Sequence, residues 1–359
     1  MKSLASQPSL DDDALRQRAA ALLGLEVRSL EPVRGGGNNQ TYRAECTDGS
    51  AYAFKVYGQR EEVPRDRMGA EVGGLRFLER YNVSAVPCVI AHDAKAGYAA
   101  FDWVDGSAVQ SPATKDIDAA LRFMAELQAL TSVDGTERLP LASAATLSGE
   151  AVVAQIKSRF SKFDAIDTDD ELGAQARHFL DDEFSLVRDG AVINARLRFA
   201  EAGLEFDAEL ARSKWALSPS DFGFHNALRR SDGRIVFVDF EYFGWDDPAK
   251  MVSDFLLHPG MTLSAAQRQR FYDGARLVFD AQEAKFHTRF TALYPLYGLC
   301  WCLIMLNEFL PENWARRSAA AGGLDDVEVR TAQLEKARRM LSTVNESFED
   351  GPQFAASRA

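Results

Sequence analysis

The chain has 359 residues, 46% of them hydrophobic, and no long polar tract, which is enough to bury a sizeable core. Its formal charge of −12 argues against nucleic acid or an anionic membrane surface as a partner, because both call for basic surface. Four cysteines, Cys46, Cys88, Cys300 and Cys302, suggest neither a disulfide framework nor a zinc site, and Cys300 and Cys302 point in different directions from an expected helix.

No basic and apolar secretory segment opens the chain; Ser9-Leu10-Asp11-Asp12 reads as the start of an amphipathic helix, and the expected location is cytoplasmic. Val33-Arg34-Gly35-Gly36-Gly37-Asn38-Asn39 lies between a short apolar-alternating segment and Thr41-Tyr42-Arg43-Ala44-Glu45, the setting of a glycine-rich turn between two strands. Without Cβ atoms at Gly35, Gly36 and Gly37, backbone can approach phosphate oxygens and successive N–H groups can bind them. Taken alone, the loop reads equally well as a flexible hairpin turn. Asp48-Gly49 is a strong hairpin signal, and the next strand, Ala51 to Tyr57, carries one charge, Lys55, among Tyr52, Ala53, Phe54 and Val56. Such a lysine either snorkels at a sheet edge or faces a phosphate.

A helix is expected from Pro64 to Tyr81. Met68, Glu71, Leu75 and Leu78 fall three or four residues apart, which places Glu71 on the buried face, where a carboxylate needs a partner. Lys55 is the candidate; Glu61 and Glu62 compete for the role but precede Pro64 and look solvated. Gly69, Gly73 and Gly74 each weaken the helix by roughly 1 kcal/mol relative to alanine, which points to close packing or mobility. Helical patterns then dominate from Ala113 to Ala211, broken at Val133 to Ala144 and at Asp167-Thr168-Asp169-Asp170. Further helices are expected at about 264–281, 284–310 and 324–347. The apolar run Pro295 to Leu306 is too short to span a bilayer and ends in Asn307-Glu308, as a buried core helix would. Nothing repeats at a fixed period, and the tail from Gly351 is expected to be disordered.

Asp221-Phe222-Gly223-Phe224-His225-Asn226, followed by Val236-Phe237-Val238-Asp239-Phe240-Glu241, is the most informative stretch. Aspartate and asparagine are abundant in turns, so the first half alone says little. Arg234 to Phe240, however, is an alternating β-rich run after a Ser231-Asp232-Gly233 turn, so Asn226 and Asp239 flank one hairpin and can face a common ion. An aspartate, an asparagine five residues on and a second aspartate closing an apolar strand is how kinase-type phosphotransferases build a site. Asp221 would receive the acceptor hydroxyl's proton, while Asn226 and Asp239 would hold Mg²⁺.

In this order, glycine loop, strand lysine, helix glutamate, Asp-x₄-Asn and strand aspartate, the chain resembles the aminoglycoside phosphotransferase and choline kinase-like family over roughly residues 25 to 310. Ser218-Pro219-Ser220-Asp221 through Asn226 is similar to that family's His-Gly-Asp-x-His-x-x-Asn, and Val238-Asp239-Phe240-Glu241 through Asp247-Pro248-Ala249 to its Ile-Asp-Trp-Glu…Asp-Pro-Ala. The resemblance implies an α+β, two-lobed protein kinase-like fold, with a small antiparallel-sheet lobe over residues 1–105 and a larger, mainly helical lobe over 106–359. It further implies ATP or GTP as donor, with Asp221 as base, Asn226 and Asp239 as metal ligands, and Gly35, Gly36, Gly37, Lys55 and Glu71 at the phosphates. Asp102-Trp103-Val104 would form the hinge that meets the nucleobase. Two departures stand out. Pro219 and Ser220 replace the family's histidine and glycine before the catalytic aspartate, and Lys250-Met251-Val252-Ser253 separates Asp247-Pro248-Ala249 from the next acid, Asp254. His225 reads as a loop-orienting side chain, and Asp254 as a supporting residue or a solvated helix position.

Protein kinases place a long activation segment after the metal aspartate, whereas seven residues separate Asp239 from Asp247 here, which favours a small hydroxylated acceptor: a sugar, amino sugar, amino alcohol or aminoglycoside. Asp246, Glu308, Trp314 and Arg316 are candidates for its pocket, with structural roles the alternative. The rival from another class is a nucleotide-binding pseudokinase acting as sensor or scaffold. Pro219 favours it; the joint presence of Lys55, Asp221, Asn226 and Asp239 opposes it.

Overall fold

The computed structural model describes residues 12–33, 39–58, 65–314, 326–349 and 351–354. In chain order the elements are α1 (Asp12–Leu23), β1 (Val27–Pro32), β2 (Gln40–Cys46), β3 (Ala51–Val56), α2 (Arg67–Arg80), β4 (Val89–Asp93), β5 (Tyr98–Asp102), β6 (Ser107–Ala108), α3 (Thr114–Ala129), α4 (Gly149–Phe160), α5 (Glu171–His178), α6 (Ser185–Glu201), β7 (Ala216–Ser218), β8 (Ala227–Arg229), β9 (Ile235–Phe237), β10 (Gly244–Asp246), α7 (Pro248–Leu257), α8 (Ala265–Phe279), α9 (Phe286–Met305) and α10 (Asp326–Ser347). The mixture is α+β. Two compact units divide the chain: residues up to Ser107 together with Leu228–Glu241, and Ala108–Ala227 together with residues from Tyr242 onward.

The first unit is built on a five-stranded sheet in the order β1-β2-β3-β5-β4. Every neighbouring pair is antiparallel, and β3 is the central strand. Successive side chains on a strand leave by opposite faces. Phe54 therefore joins a core with Leu15 and Ala19 of α1, Val27, Ala44, Cys46 and Tyr98, and its ring lies 5.4 Å from that of Tyr98. Lys55, next along the strand, leaves by the other face. Helix α2 starts at Asp66, whose Oδ1 accepts from Gly69 N–H at 2.7 Å. A Cβ at Gly69 would lie 2.2 Å from the Asp66 carboxylate, so this glycine makes room for the cap. Met68, Glu71, Leu75 and Leu78 are all buried, as their spacing predicts, whereas Pro64 lies outside the described residues.

The second unit is organised around α9, which packs against α4, α6, α7 and α10, while α3 pairs with α8. The helix reaches back well before Pro295, and within Phe286–Phe309 an 18-residue window has a mean hydropathy of 1.4, which would suit a membrane span. Burial of 83% of that window inside the protein accounts for its apolar character. The acidic break at Asp167–Asp170 ends in an N-cap: Asp170 Oδ2 accepts from Gly173 N–H at 3.3 Å and meets Arg330 Nη1 at 2.5 Å. One expectation is corrected. Over residues 351–354 the tail is packed, because Phe354 is buried against Tyr272 and Tyr294, with ring centroids 5.4 and 5.8 Å away.

Candidate active site

In the first unit, Lys55 Nζ donates to Glu71 Oε1 at 2.7 Å and to Asp239 Oδ1 at 2.9 Å. Glu71 is 2% exposed, and its other partners satisfy it: Tyr57 Oη donates to Oε2 at 2.6 Å and Phe240 N–H to Oε1 at 3.2 Å. Burial works against the lysine ammonium, yet the carboxylates of Glu71 and Asp239 outweigh it and hold the Lys55 pKa above its ordinary value. Burial, then Glu71, pushes the Tyr57 hydroxyl well up, so it stays a donor. Sequence reasoning passed over Tyr57, although two residues along an extended chain from Lys55 is the same face.

The hairpin of β8 and β9 closes through Arg230 N–H to Arg234 O at 2.9 Å, and Phe237 N–H then donates to Ala85 O at 2.8 Å. The strand expected to run through Phe240 stops at Phe237, because Asp239 takes a left-handed φ of +68° that a strand cannot hold. A non-glycine residue there costs about 1–2 kcal/mol, and such strain gathers at functional sites. The Asp239 side chain stays 39% exposed. Gly35, Gly36 and Gly37 lie outside the described residues, but the loop's last member, Asn39, donates from its amide to Glu241. At the expected hinge, Asp102 is tied to Cys88: its N–H donates to Cys88 O at 3.0 Å, and its Oδ1 accepts from Cys88 N–H at 2.5 Å. Arg43 covers the Trp103 ring at 5.1 Å, and Val104 is buried.

In the second unit, β7 pairs antiparallel with β10, Ser218 opposite Gly244, and feeds the Asp221 loop. Ser220 adopts φ +68°, which explains why a glycine suits this position. Here the serine is held by two bonds, its N–H to Ser218 Oγ and its own Oγ to Ser143 O, each at 2.9 Å. Asp221 then accepts from His225 Nε2 at 2.9 Å on Oδ1 and from Asn226 Nδ2 at 3.0 Å on Oδ2. Gly223 is required by close approach: a Cβ would sit 2.6 Å from His225 Nδ1 and 2.8 Å from Met261 Sδ. His258, at the end of α7, was not singled out by sequence. Its ring stacks on His225 at 3.6 Å and 8°, Trp301 meets it edge-on at 4.7 Å, and its Nε2 lies 3.6 Å from Asp221 Oδ1. Because Nδ1 accepts from Gly260 N–H at 3.0 Å, Nε2 carries the hydrogen.

Burial opposes the Asp221 carboxylate, but His225, His258 and Asn226 together draw its pKa down to about 2. Burial and the adjacent His225 push His258 down to about 3, so its imidazole is neutral. Asp221, His225 and His258 bring potential ligand atoms within 4.8 Å of one another, yet parallel stacked rings cannot turn both lone pairs onto one ion. Asn226 turns its Nδ2 to Asp221, which leaves Oδ1, a hard oxygen, as the atom to ligate a cation.

Two buried ion clusters stiffen α7 and its approach. Lys250 Nζ bridges Asp254 at 2.7 Å and Asp246 at 3.2 Å; burial pushes Asp246, the looser partner, up to about 7. Asp254 also accepts from Trp301 Nε1 at 3.0 Å, so it supports the site from the next turn and is not a solvated residue. Asp247 caps α7 through Ala249 N–H at 2.8 Å and pairs with Arg289, which meets Glu283 at 2.9 Å. Asp246 is fully buried in the first cluster and cannot line a pocket, and Arg316 lies outside the described residues.

With this geometry in place, the chain matches the model of the phosphotransferase enzyme family over residues 29–287. It belongs to that family. Among solved structures it is similar to a spectinomycin phosphotransferase in complex with ADP and spectinomycin, at 13% identity and TM-score 0.65, covering 96% of this chain and 99% of that one. It is similar to a choline kinase from Streptococcus pneumoniae at 17% identity and TM-score 0.54, covering 92% and 98%. It is also similar to an amicoumacin kinase in complex with AMP-PNP and Ca²⁺, at 13% identity and TM-score 0.58, covering 96% of each chain. No curated protein matches it in sequence. This phosphotransferase thus has the protein kinase-like fold that its motifs imply.

Proposed function

We propose that this phosphotransferase moves the γ-phosphoryl group of ATP, with GTP as the alternative donor, to a hydroxyl of a small molecule. The bound ADP and AMP-PNP of its structural relatives support the donor. The short connection from Asp239 to Asp247 and the spectinomycin of one relative support a small acceptor. Lys55, pinned by Glu71, holds the nucleotide phosphates; the glycine loop and the backbone at Asp102, Trp103 and Val104 complete the nucleotide site. Asp239 and Asn226 offer the hard oxygens that suit Mg²⁺, which when bound neutralises charge on the phosphates. Since the reaction consumes a nucleoside triphosphate, the protein works where that pool is, in the cytoplasm.

The acceptor oxygen forms a bond to the γ-phosphorus, the bond from that phosphorus to the β–γ bridging oxygen breaks with its electron pair leaving on the nucleoside diphosphate, and the hydroxyl proton passes to Asp221. The observation that carries the reading is Asp221 itself, an ionised carboxylate gripped on both oxygens by His225 and Asn226. A sensor that merely binds nucleotide has no use for it. Asp221→Asn keeps the shape and removes the charge. It is expected to bind Mg-nucleotide like the wild type while kcat falls by roughly two orders of magnitude or more, with nucleotide KM little changed. If the wild type itself moves no phosphate to any acceptor in a broad panel, the sensor reading takes its place.

A further inference from the structure

The second unit contains a cavity of about 230 Å³ beside the Asp221 loop. Two of its lining residues touch that loop directly: His258 Nε2 lies 3.6 Å from Asp221 Oδ1, and Met261 Sδ accepts from Phe224 N–H at 3.1 Å. Its charged lining is one-sided. Arg268 of α8 with Lys336 and Arg339 of α10 contribute three cations, and no carboxylate lines the cavity among the described residues. The Nε of Arg268 is buried without a hydrogen-bond partner among them. Among the described residues the Arg339 side chain pairs with Glu335 at 3.7 Å, both side chains well exposed, which holds it weakly. Methionine and leucine side chains make up most of the remaining wall.

Like charges gathered at one wall repel one another unless an anion lies between them, and the repulsion is least screened at the half-buried Arg268 and Lys336. In a chain of net charge −12 such a gathering is not a by-product of composition, and it would repel an amine. Resting on the kinase reading, we infer that this cavity holds an anionic group of the acceptor. The acceptor is then a small hydroxylated carboxylate or phosphate ester, with its hydroxyl presented to Asp221, and not an aminoglycoside or amino alcohol. The shared chemistry is an oxyanion met by guanidinium and ammonium donors.

Calorimetric titration of the full chain, loaded with Mg²⁺ and AMP-PNP, tests this with gluconate, glucose 6-phosphate, glucose, glucosamine and ethanolamine. Gluconate or glucose 6-phosphate is expected to bind more tightly than the neutral and amino compounds, and which of the two binds distinguishes carboxylate from phosphate. Lys336→Glu/Arg339→Glu, at one half-buried and one exposed position of α10, should weaken that binding roughly tenfold or more while Mg-nucleotide affinity stays unchanged. Lys336→Gln, a milder change, should give a smaller loss in the same direction. The inference falls if glucosamine or ethanolamine binds as tightly as the anions, if neither anion binds, or if a folded charge-reversal variant binds them as the wild type does. Phosphate transfer with ATP separates the two readings. Anion binding at the cavity without transfer to any acceptor overturns the kinase reading and leaves the cavity assignment standing. Transfer to amino compounds alone does the reverse.

Discussion

A carboxylate with a pKa of about 2 is a weak base, and Asp221 is held there, against its burial, by hydrogen bonds from His225 and Asn226 and by the nearby His258. That suits the proposed phosphoryl transfer, whose transition state is loose: the acceptor proton would leave late, and until then the aspartate would aim the hydroxyl. Aim depends on the loop, and the loop departs from its family at Pro219 and Ser220. Beside Asp221, His225 and His258 stack at 3.6 Å, and His225 donates to the carboxylate at 2.9 Å. Ser220 meets the left-handed φ with a side-chain bond to Ser143 that a glycine would lack. Removing the hydroxyl while keeping the Cβ retains the strain and loses the bond, so Ser220→Ala should cost about 1 kcal/mol of stability. Ser220→Gly loses the bond but relieves about 1 kcal/mol of strain, and should lie within about 1 kcal/mol of the wild type. Urea unfolding of the two variants checks this order, and Ser220→Ala at or above Ser220→Gly would remove the role given to φ.

Among the elements, β3 and α2 act as one device. β3 lies inside the sheet and sends Phe54 into the α1 core and Lys55 to the other face, where Glu71 waits on the buried stripe of α2. Glu71→Ala strips Lys55 and Tyr57 of a shared, buried partner, and breaking such a buried pair costs about 3–5 kcal/mol. Glu71→Gln keeps an acceptor for Tyr57 and should lose less. A denaturation midpoint for Glu71→Ala equal to the wild type's would show that the contact contributes nothing. This pair was legible from the helix, because a spacing of three to four put Glu71 on the buried stripe, where a carboxylate needs a partner, and Lys55 was the one charge on the preceding strand. Asp239 was legible as a residue but not as a conformation: an apolar alternating run reads as strand, and only the fold reveals that it stops at Phe237 so that the aspartate can turn back to Lys55. His258 stayed hidden because a lone histidine between Leu257 and Pro259 has no spacing to the Asp221 loop; tertiary packing alone brings them together.

At the scale of the whole molecule, the chain distributes its chemistry over both units: Lys55, Glu71 and Asp239 belong to the first, Asp221, His225, Asn226 and His258 to the second. The fold class followed from the order of motifs. The basic cavity did not, since Arg268, Lys336 and Arg339 are scattered over two helices in a chain whose overall charge points the other way. The Asp239 site can be tested without disturbing either unit's core. Its carboxylate is 39% exposed, and Lys55 keeps Glu71 at 2.7 Å when Asp239 is removed, so Asp239→Ala should stay folded with a midpoint close to the wild type's. The variant should instead lose linkage. A ligand that binds only the folded state stabilises it by about 2.7 kcal/mol at a hundred times its Kd, and for this protein that gain should need Mg²⁺ and nucleotide together. In a thermal-shift measurement the wild type is expected to rise by several degrees with Mg-ATP and by less with ATP and excess chelator, while Asp239→Ala shows the smaller rise in both conditions. A full Mg-dependent rise in Asp239→Ala would take this residue out of the metal site and leave it only its contact with Lys55.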